Sequence, residues 1–323
     1  MNALLVLDMP QTLQRRYDAA VRSTCPDFTV DSVGHHGEAA SLIEQADILI
    51  AYAPHVPPPL LSKARRLQWI QSLGAGVEGF DVLCASRPQL LLTNMRGVAA
   101  EPVAEGALLA MLALARDLPR NVRDQQRQAW APRSVRLLAR ATVGILGVGT
   151  IAEALGPRCQ ALGMRVLGIS STPRQVPGFD RIEPMDRLRE LVRELDYLVV
   201  LTPYSSRTDR LIDAHVLAAM KPGSCLVNLA RGAIIDEAAL LDALDSGPLR
   251  AAALDVFTSE PLPVGHPFWT HERILVTPHQ GGRSEVRDDW AIEILVDNLR
   301  CYMAGDIDGM RNVIHRPALT TRE

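Results

Sequence analysis

Lysine is nearly absent from this sequence. Lys63 and Lys221 are the only two among 34 basic residues, so arginine carries almost all the positive charge. Together with the abundant alanine this reflects a GC-rich coding bias, not a binding surface. The formal net charge is −3, which gives no attraction to nucleic acid or to an anionic membrane. Cysteine is scarce as well: Cys25, Cys84, Cys159, Cys225 and Cys301 lie far apart with no C-x-x-C pair. That excludes a disulfide framework and a thiolate metal site, and each thiol is expected to be a small buried hydrophobe. No metal is expected. No apolar run is long enough to span a bilayer, since the longest, Val103–Ala115, contains Glu105 and stops at Arg116. The start, MNALLVLDMP, lacks the basic region of a signal peptide, so a cytoplasmic location is expected. Internal repeats and low-complexity tracts are also missing.

What is present is an ordinary globular composition, 47% hydrophobic and 22% charged over 323 residues, enough for two domains with separate cores. Short apolar runs at Ala3–Leu7, Ile48–Tyr52, Leu67–Gln71 and Leu90–Thr93 read as strands, and Gln11 to about Arg22 reads as a helix. Strands alternating with helical patterns imply parallel βαβ units and a small doubly wound domain. Glu101-Pro102 then starts a helix running to about Leu118, apolar enough that burial is expected. A polar, arginine-rich piece, Arg120–Arg140, follows. Further strands come at βαβ spacing: Val143–Leu146, Arg165–Ile169, Asp196–Leu201, Cys225–Leu229, Ala251–Val256 and Ile274–Val276. A last helix, about Glu285–Met303, returns the chain to the first domain.

The second set of strands is organised around Ala141–Ala152, ATVGILGVGTIA. Strand, glycine turn, helix is the context in which G-x-G-x-x-(G/A) signals a dinucleotide. Gly147 allows the tight turn, and Gly149 lets the backbone amides around Thr150 and Ile151 approach a pyrophosphate. Ala152 is small enough for the helix to pack on the strand. Pro157 falls inside that helix and is expected to kink or shorten it.

Each of the last three strands runs directly into a piece bearing one reactive group: Arg231 after Asn228-Leu229-Ala230, Glu260 within Asp255–Pro261, and His279 after Thr277-Pro278. The carboxyl ends of parallel strands face the ligand crevice, so topology delivers the three to one rim. Reduction of a 2-oxo acid needs a cation for the carboxylate and carbonyl, and a guanidinium serves both. It needs an acid to protonate the oxygen, and imidazole suits that. A carboxylate on the far ring nitrogen fixes the tautomer. Arg231, His279 and Glu260 fit these roles.

MKPGSCLVNLARGAIIDEAAL, AALDVFTSEPLP and ILVTPHQGG closely resemble the signatures of the D-isomer-specific 2-hydroxyacid dehydrogenases, and GILGVGTIAEALG resembles their cofactor motif. The resemblance covers about Asn2 to Asn312. It implies a Rossmann cofactor domain, 99–285, inserted into a discontinuous flavodoxin-like substrate domain, 1–98 and 286–323. Hinges would lie near Val98–Ala100 and Arg283–Val286, with substrate and nicotinamide meeting between the domains. It also implies a homodimer, a small 2-oxo or 2-hydroxy acid as substrate, and reductases of glyoxylate and hydroxypyruvate as the model activity. The substrate carboxylate would be gripped by backbone amides of Leu73, Gly74, Ala75, Gly76 and Val77. Thr202-Pro203 would pass over the cofactor, with Ala230 nearby and Asp255 near the carboxamide. A non-catalytic nucleotide-sensing or corepressor-like protein on the same fold is the alternative.

This chain departs from that pattern informatively in one place. NAD-dependent members carry an acidic residue after the second cofactor-domain strand, where this chain reads Gly168-Ile169-Ser170-Ser171-Thr172-Pro173-Arg174. Without the acid, repulsion of a 2′-phosphate disappears, worth roughly 4 kcal/mol for unit charges about 4 Å apart at an effective dielectric of 20. Ser170, Ser171 and Thr172 offer hydroxyls, and Arg174 can pair with the phosphate. NADPH is therefore expected to be preferred, with NAD still possible.

Overall fold

The computed structural model describes residues Met1–Pro317. The chain divides into two compact units, Met1–Val98 with the chain from Ser284 onward, and Ala99–Arg283. Positions 318–323 of the expected second segment lie outside the described residues.

The first unit contains β1 (Asn2–Val6), β2 (Thr29–Val33), β3 (Ile48–Ala51), β4 (Trp69–Ser72), β5 (Leu91–Thr93) and, from the chain's end, β13 (Val313–His315). Their spatial order is β13-β5-β4-β3-β1-β2. All pairings are parallel except that of β13 with β5. The five parallel strands have the doubly wound order of the flavodoxin type. Strand alternation splits the core in two. Ala3, Leu5, Ile48 and Ile50 face one layer, with Tyr17, Val21 and the helix residues Ala291, Ile294 and Leu295. Leu4, Val6, Leu49 and Ala51 face the other, with Ile43, Leu61 and Phe80.

The second unit holds β6 (Thr142–Leu146), β7 (Arg165–Ser170), β8 (Arg181–Pro184), β9 (Tyr197–Val200), β10 (Cys225–Asn228), β11 (Ala251–Leu254) and β12 (Ile274–Val276). The order is β12-β11-β10-β9-β6-β7-β8, wholly parallel. That is the Rossmann order 3-2-1-4-5-6 with one further strand at the β12 edge. Seven strands stand where six were expected. β8, with sequence RIEP, carries no apolar run because it is a half-exposed edge that buries little.

Two helices differ from expectation. The helix expected to reach Leu118 is Ala100–Ala115, and a second one, Leu118–Gln126, runs into the polar, arginine-rich piece, for which no element was expected. Asp117 takes a left-handed φ of 58°, which breaks the first helix, and Pro119 suits the first turn of the second. Ala104, Ala107, Met111 and Leu114 lie in a core layer where this helix meets β10, β11 and the helix Thr150–Ala161, while Leu109 and Leu112 remain exposed. Pro157 does not cut its helix short: Thr150–Ala161 runs through it. The ring packs on the backbone of Gly178, where a Cβ would lie 2.5 Å from Pro157 Cδ.

Candidate active site

The turn after β6 is shaped by its first glycine. Gly147 has φ 96°, and a Cβ there would sit 2.5 Å from the Thr202 nitrogen. Only glycine lets this turn lie against the segment leaving β9, which continues through Thr202 into Pro203. Gly149 is the N-cap of the helix Thr150–Ala161, with no side-chain cap. Ala152 is fully buried beneath it. Among the described residues the Thr150 and Ile151 amides donate to no protein group. A Cβ on Gly149 would meet no atom within 4 Å, so nothing obstructs an approach to those amides. Open amides at the positive end of a helix suit a dinucleotide pyrophosphate.

After β7 the chain turns with the Thr172 nitrogen donating to Ser170 Oγ at 3.2 Å, and Ser171, Thr172 and Arg174 are exposed. Arg174 reaches back to the first turn of the glycine-motif helix and pairs with Glu153 at 2.5 Å. The guanidinium assigned to a 2′-phosphate is thus already shared with a carboxylate.

At the ends of β10, β11 and β12 three loops brace one another. Asn228, buried at the end of β10, accepts from the Ala230 nitrogen (3.0 Å) and donates to the Arg231 carbonyl (3.0 Å), closing the turn that presents Arg231. Next comes Gly232, where a Cβ would fall 1.9 Å from the Phe257 carbonyl carbon and 2.3 Å from the Thr258 nitrogen. The arginine loop is therefore in direct contact with the loop that carries Glu260. Glu237 adds a second tie, accepting from the Thr258 nitrogen at 2.9 Å.

Glu260 uses both carboxylate oxygens. Oε1 accepts from the Phe257 nitrogen (3.0 Å) and Oε2 lies 2.6 Å from His279 Nδ1. Because a carboxylate only accepts, Nδ1 carries the proton of this bond, and Nε2 is the ring nitrogen left for other chemistry. His279 has φ 47°, a left-handed conformation costly for a side chain of this size. Asp255, almost fully buried, holds it there. Its carbonyl takes the His279 nitrogen (2.8 Å), Oδ1 takes Thr277 Oγ1 (2.5 Å) and the Gln280 nitrogen (3.0 Å), and Oδ2 takes the Gly281 nitrogen (2.8 Å). Asp255 was assigned to the cofactor; its visible work is to fold the histidine loop. Asn228 and Glu237 stood within the quoted motifs but carried no role, because loop-bracing bonds leave no signature in residue spacing.

In the first unit, the loop Leu73–Val77 has every carbonyl engaged. Arg287 donates to Leu73 O (2.9 Å), the Met95 nitrogen to Gly74 O (3.0 Å), Asn94 Nδ2 to Ala75 O (2.7 Å), Ser72 Oγ to Gly76 O (2.8 Å) and the Phe80 nitrogen to Val77 O (2.9 Å). The amides of Ala75, Gly76 and Val77 donate to nothing among the described residues. Leu73 and Gly74, expected to offer their amides as well, do not: the Leu73 nitrogen donates to Ala51 O (2.9 Å) and the Gly74 nitrogen to Ser72 Oγ (3.4 Å). Three open amides in a turn whose carbonyls are tied back suit an anion.

Among the described residues no group of three or more His, Cys, Asp or Glu is placed to hold a metal, and no helix is long and apolar enough to cross a membrane. All five cysteines are free thiols; four are buried and Cys301 is half-buried.

A Rossmann sheet with a histidine–carboxylate pair at its strand ends defines the class of dinucleotide-dependent oxidoreductases. The model of the D-isomer specific 2-hydroxyacid dehydrogenase NAD binding domain matches residues 108–281, and the chain belongs to that family. It is 34% identical over 242 residues to glyoxylate/hydroxypyruvate reductase A of Serratia proteamaculans, covering 72% of this chain and 76% of that one. It is 32% identical over 284 residues to D-3-phosphoglycerate dehydrogenase of Methanocaldococcus jannaschii, which covers 87% of this chain but only about half, 54%, of that relative's length. A crystal structure of a D-isomer specific 2-hydroxyacid dehydrogenase from Xanthobacter autotrophicus, in complex with NADPH and MES, superimposes with a TM-score of 0.80 at 28% identity. It covers 97% of both chains.

Proposed function

We propose that this chain reduces a small 2-oxo acid, of the glyoxylate or hydroxypyruvate type, to the D-2-hydroxy acid, using NADPH in preference to NADH. The bound nicotinamide dinucleotide supplies the hydride. Arg231 pairs with the substrate carboxylate and polarises the carbonyl, because a planar guanidinium presents donors to both oxygens. His279 delivers the proton from Nε2 to the carbonyl oxygen. Glu260 faces Nδ1 and stabilises the positive ring against the developing alkoxide. Ala75, Gly76 and Val77 form the second carboxylate grip through backbone amides, the Leu73 and Gly74 amides being engaged by Ala51 O and Ser72 Oγ. Gly147, Gly149, Thr150 and Ile151 receive the pyrophosphate, with Thr202, Pro203, Ala230 and Asp255 along the rest of the dinucleotide.

The observation that carries this reading is the 2.6 Å contact between His279 Nδ1 and Glu260 Oε2, on a histidine held at positive φ. Preference for NADPH rests on Ser170, Ser171, Thr172 and Arg174 standing where an acid would repel a 2′-phosphate. A homodimer belongs to the same reading and rests on family resemblance. The test is a spectrophotometric panel of 2-oxo acids with each nucleotide. Turnover of glyoxylate or hydroxypyruvate with higher kcat/KM for NADPH is expected. Nucleotide binding without turnover of any 2-oxo acid would overturn the reading in favour of a nucleotide sensor on the same fold.

A further inference from the structure

Arg287 is the first residue of the helix Arg287–Met303, a poor place for a cation, since the helix dipole presents its positive end there. Its side chain is only 14% exposed. A guanidinium so placed costs stability unless its donors are used, and here they are. One terminal nitrogen donates to the Leu73 carbonyl at 2.9 Å, and the other pairs with Asp288 at 2.8 Å. Asp288 in turn accepts from the hydroxyl of Tyr17 at 3.0 Å. Tyr17 is fully buried, and burial together with the Asp288 carboxylate pushes its phenol well up, so it remains a donor. The guanidinium also lies 5.5 Å from the centre of the Tyr52 ring. That ring backs Gly74, where a Cβ would stand 3.5 Å from Tyr52 Cδ1. Arg287 therefore braces the glycine loop twice, at its first carbonyl and through the aromatic ring beneath its second residue.

We infer that Arg287 is a positioning residue for substrate carboxylate: held by Asp288 and Tyr17, it fixes the Leu73 carbonyl so that the Ala75, Gly76 and Val77 amides converge on an anion. Helix stability does not explain the arginine, for the reason given above. Nor does general packing, because a methionine of similar length would fill the space without burying a charge. The inference rests on the proposed 2-oxo acid function and names how one part of that site is kept in register.

The experiment titrates oxalate, an unreactive mimic of a 2-oxo acid, calorimetrically into the NADPH-saturated protein, wild type and R287M, with the NADPH Kd and glyoxylate KM measured alongside. The R287M change should weaken oxalate binding and raise the glyoxylate KM at least about tenfold, the scale of a lost charged hydrogen bond. The NADPH Kd should stay within about twofold, since the nucleotide motif lies in the other unit. R287K, which keeps the charge without the planar fork, should fall between. Unchanged oxalate affinity in R287M, or equal loss for oxalate and NADPH, would overturn the inference. Should R287M fail to fold, R287K decides: weaker oxalate at constant NADPH affinity supports it, and unaltered oxalate overturns it. A wild type that binds oxalate but reduces no 2-oxo acid refutes the function while the variants still judge Arg287. A wild type that binds no oxalate refutes the inference itself.

Discussion

Replacing Gly232 by alanine adds one methyl group between the loop that carries Arg231 and the loop that carries Glu260. That methyl would lie 1.9 Å from the Phe257 carbonyl carbon, 2.3 Å from its oxygen and 2.3 Å from the Thr258 nitrogen, whereas ordinary contacts begin near 3.4 Å. All three neighbours are backbone, so no rotamer change relieves the overlap. The two loops must part by about 1.5 Å, the gap between the closest of these distances and ordinary contact. Overpacking of this kind costs about 1–3 kcal/mol, which for a domain of this size lowers Tm by roughly 2–12 °C. The catalytic effect should be larger than the stability effect, since a displacement of about 1 Å at a reacting group can cost a hundredfold in rate. The assay is kcat for glyoxylate with saturating NADPH, beside a thermal melt. A G232A enzyme with wild-type kcat and wild-type Tm would refute the claim that these loops register Arg231 against Glu260.

Three further outcomes follow from the same geometry. Gly149→Ala should fold with an unchanged Tm, because its Cβ meets no protein atom, yet should raise the KM for NADPH at least about tenfold by blocking the helix amides; unchanged nucleotide affinity would count against the pyrophosphate site. Glu153→Gln should lower the KM for NADPH by about threefold and leave NADH alone, because Arg174 is released from its carboxylate, whereas Arg174→Ala should raise it; equal shifts for both nucleotides would remove Arg174 from cofactor selection. Burial pushes the thiols of Cys84 and Cys159 up to about 11 and about 12, so at pH 8 the native protein should react with a thiol reagent at Cys301 well before these two. Fast native labelling of Cys159 would contradict the packing of its helix.

Legibility from the sequence followed burial. Central strands such as Ile48–Ala51 and Tyr197–Val200 are apolar on both faces and could be read directly, as could the glycine motif and the three strand-end motifs. Thr29–Val33, Arg181–Pro184 and Val313–His315 could not, because each is an edge strand that buries little and carries no apolar pattern. The helix Leu118–Gln126 has no buried residue, so its arginines and glutamines show only a polar stretch with no helical signal. Within the site, Arg231, Glu260 and His279 announce themselves by chemistry at strand ends. The groups that hold them act through backbone: Glu237 and Asp255 by bonds to neighbouring loops, Asn228 by bonds within its own turn, and Gly232 by close approach to the Phe257 backbone. Those bonds depend on three-dimensional closeness, which spacing along the chain does not encode. Arg287 stands 214 residues from the carbonyl it holds, and nothing in its local sequence hints at that partner.

The most direct measurement is kcat for glyoxylate reduction by the His279→Ala enzyme, taken with the NADPH Kd from fluorescence. Loss of a general acid predicts a fall of about a hundredfold to ten-thousandfold with the Kd held within about twofold. A His279→Ala enzyme that kept more than about a tenth of wild-type kcat would show that the proton comes from elsewhere, and the pairing of His279 with Glu260 would then have to be explained as architecture alone.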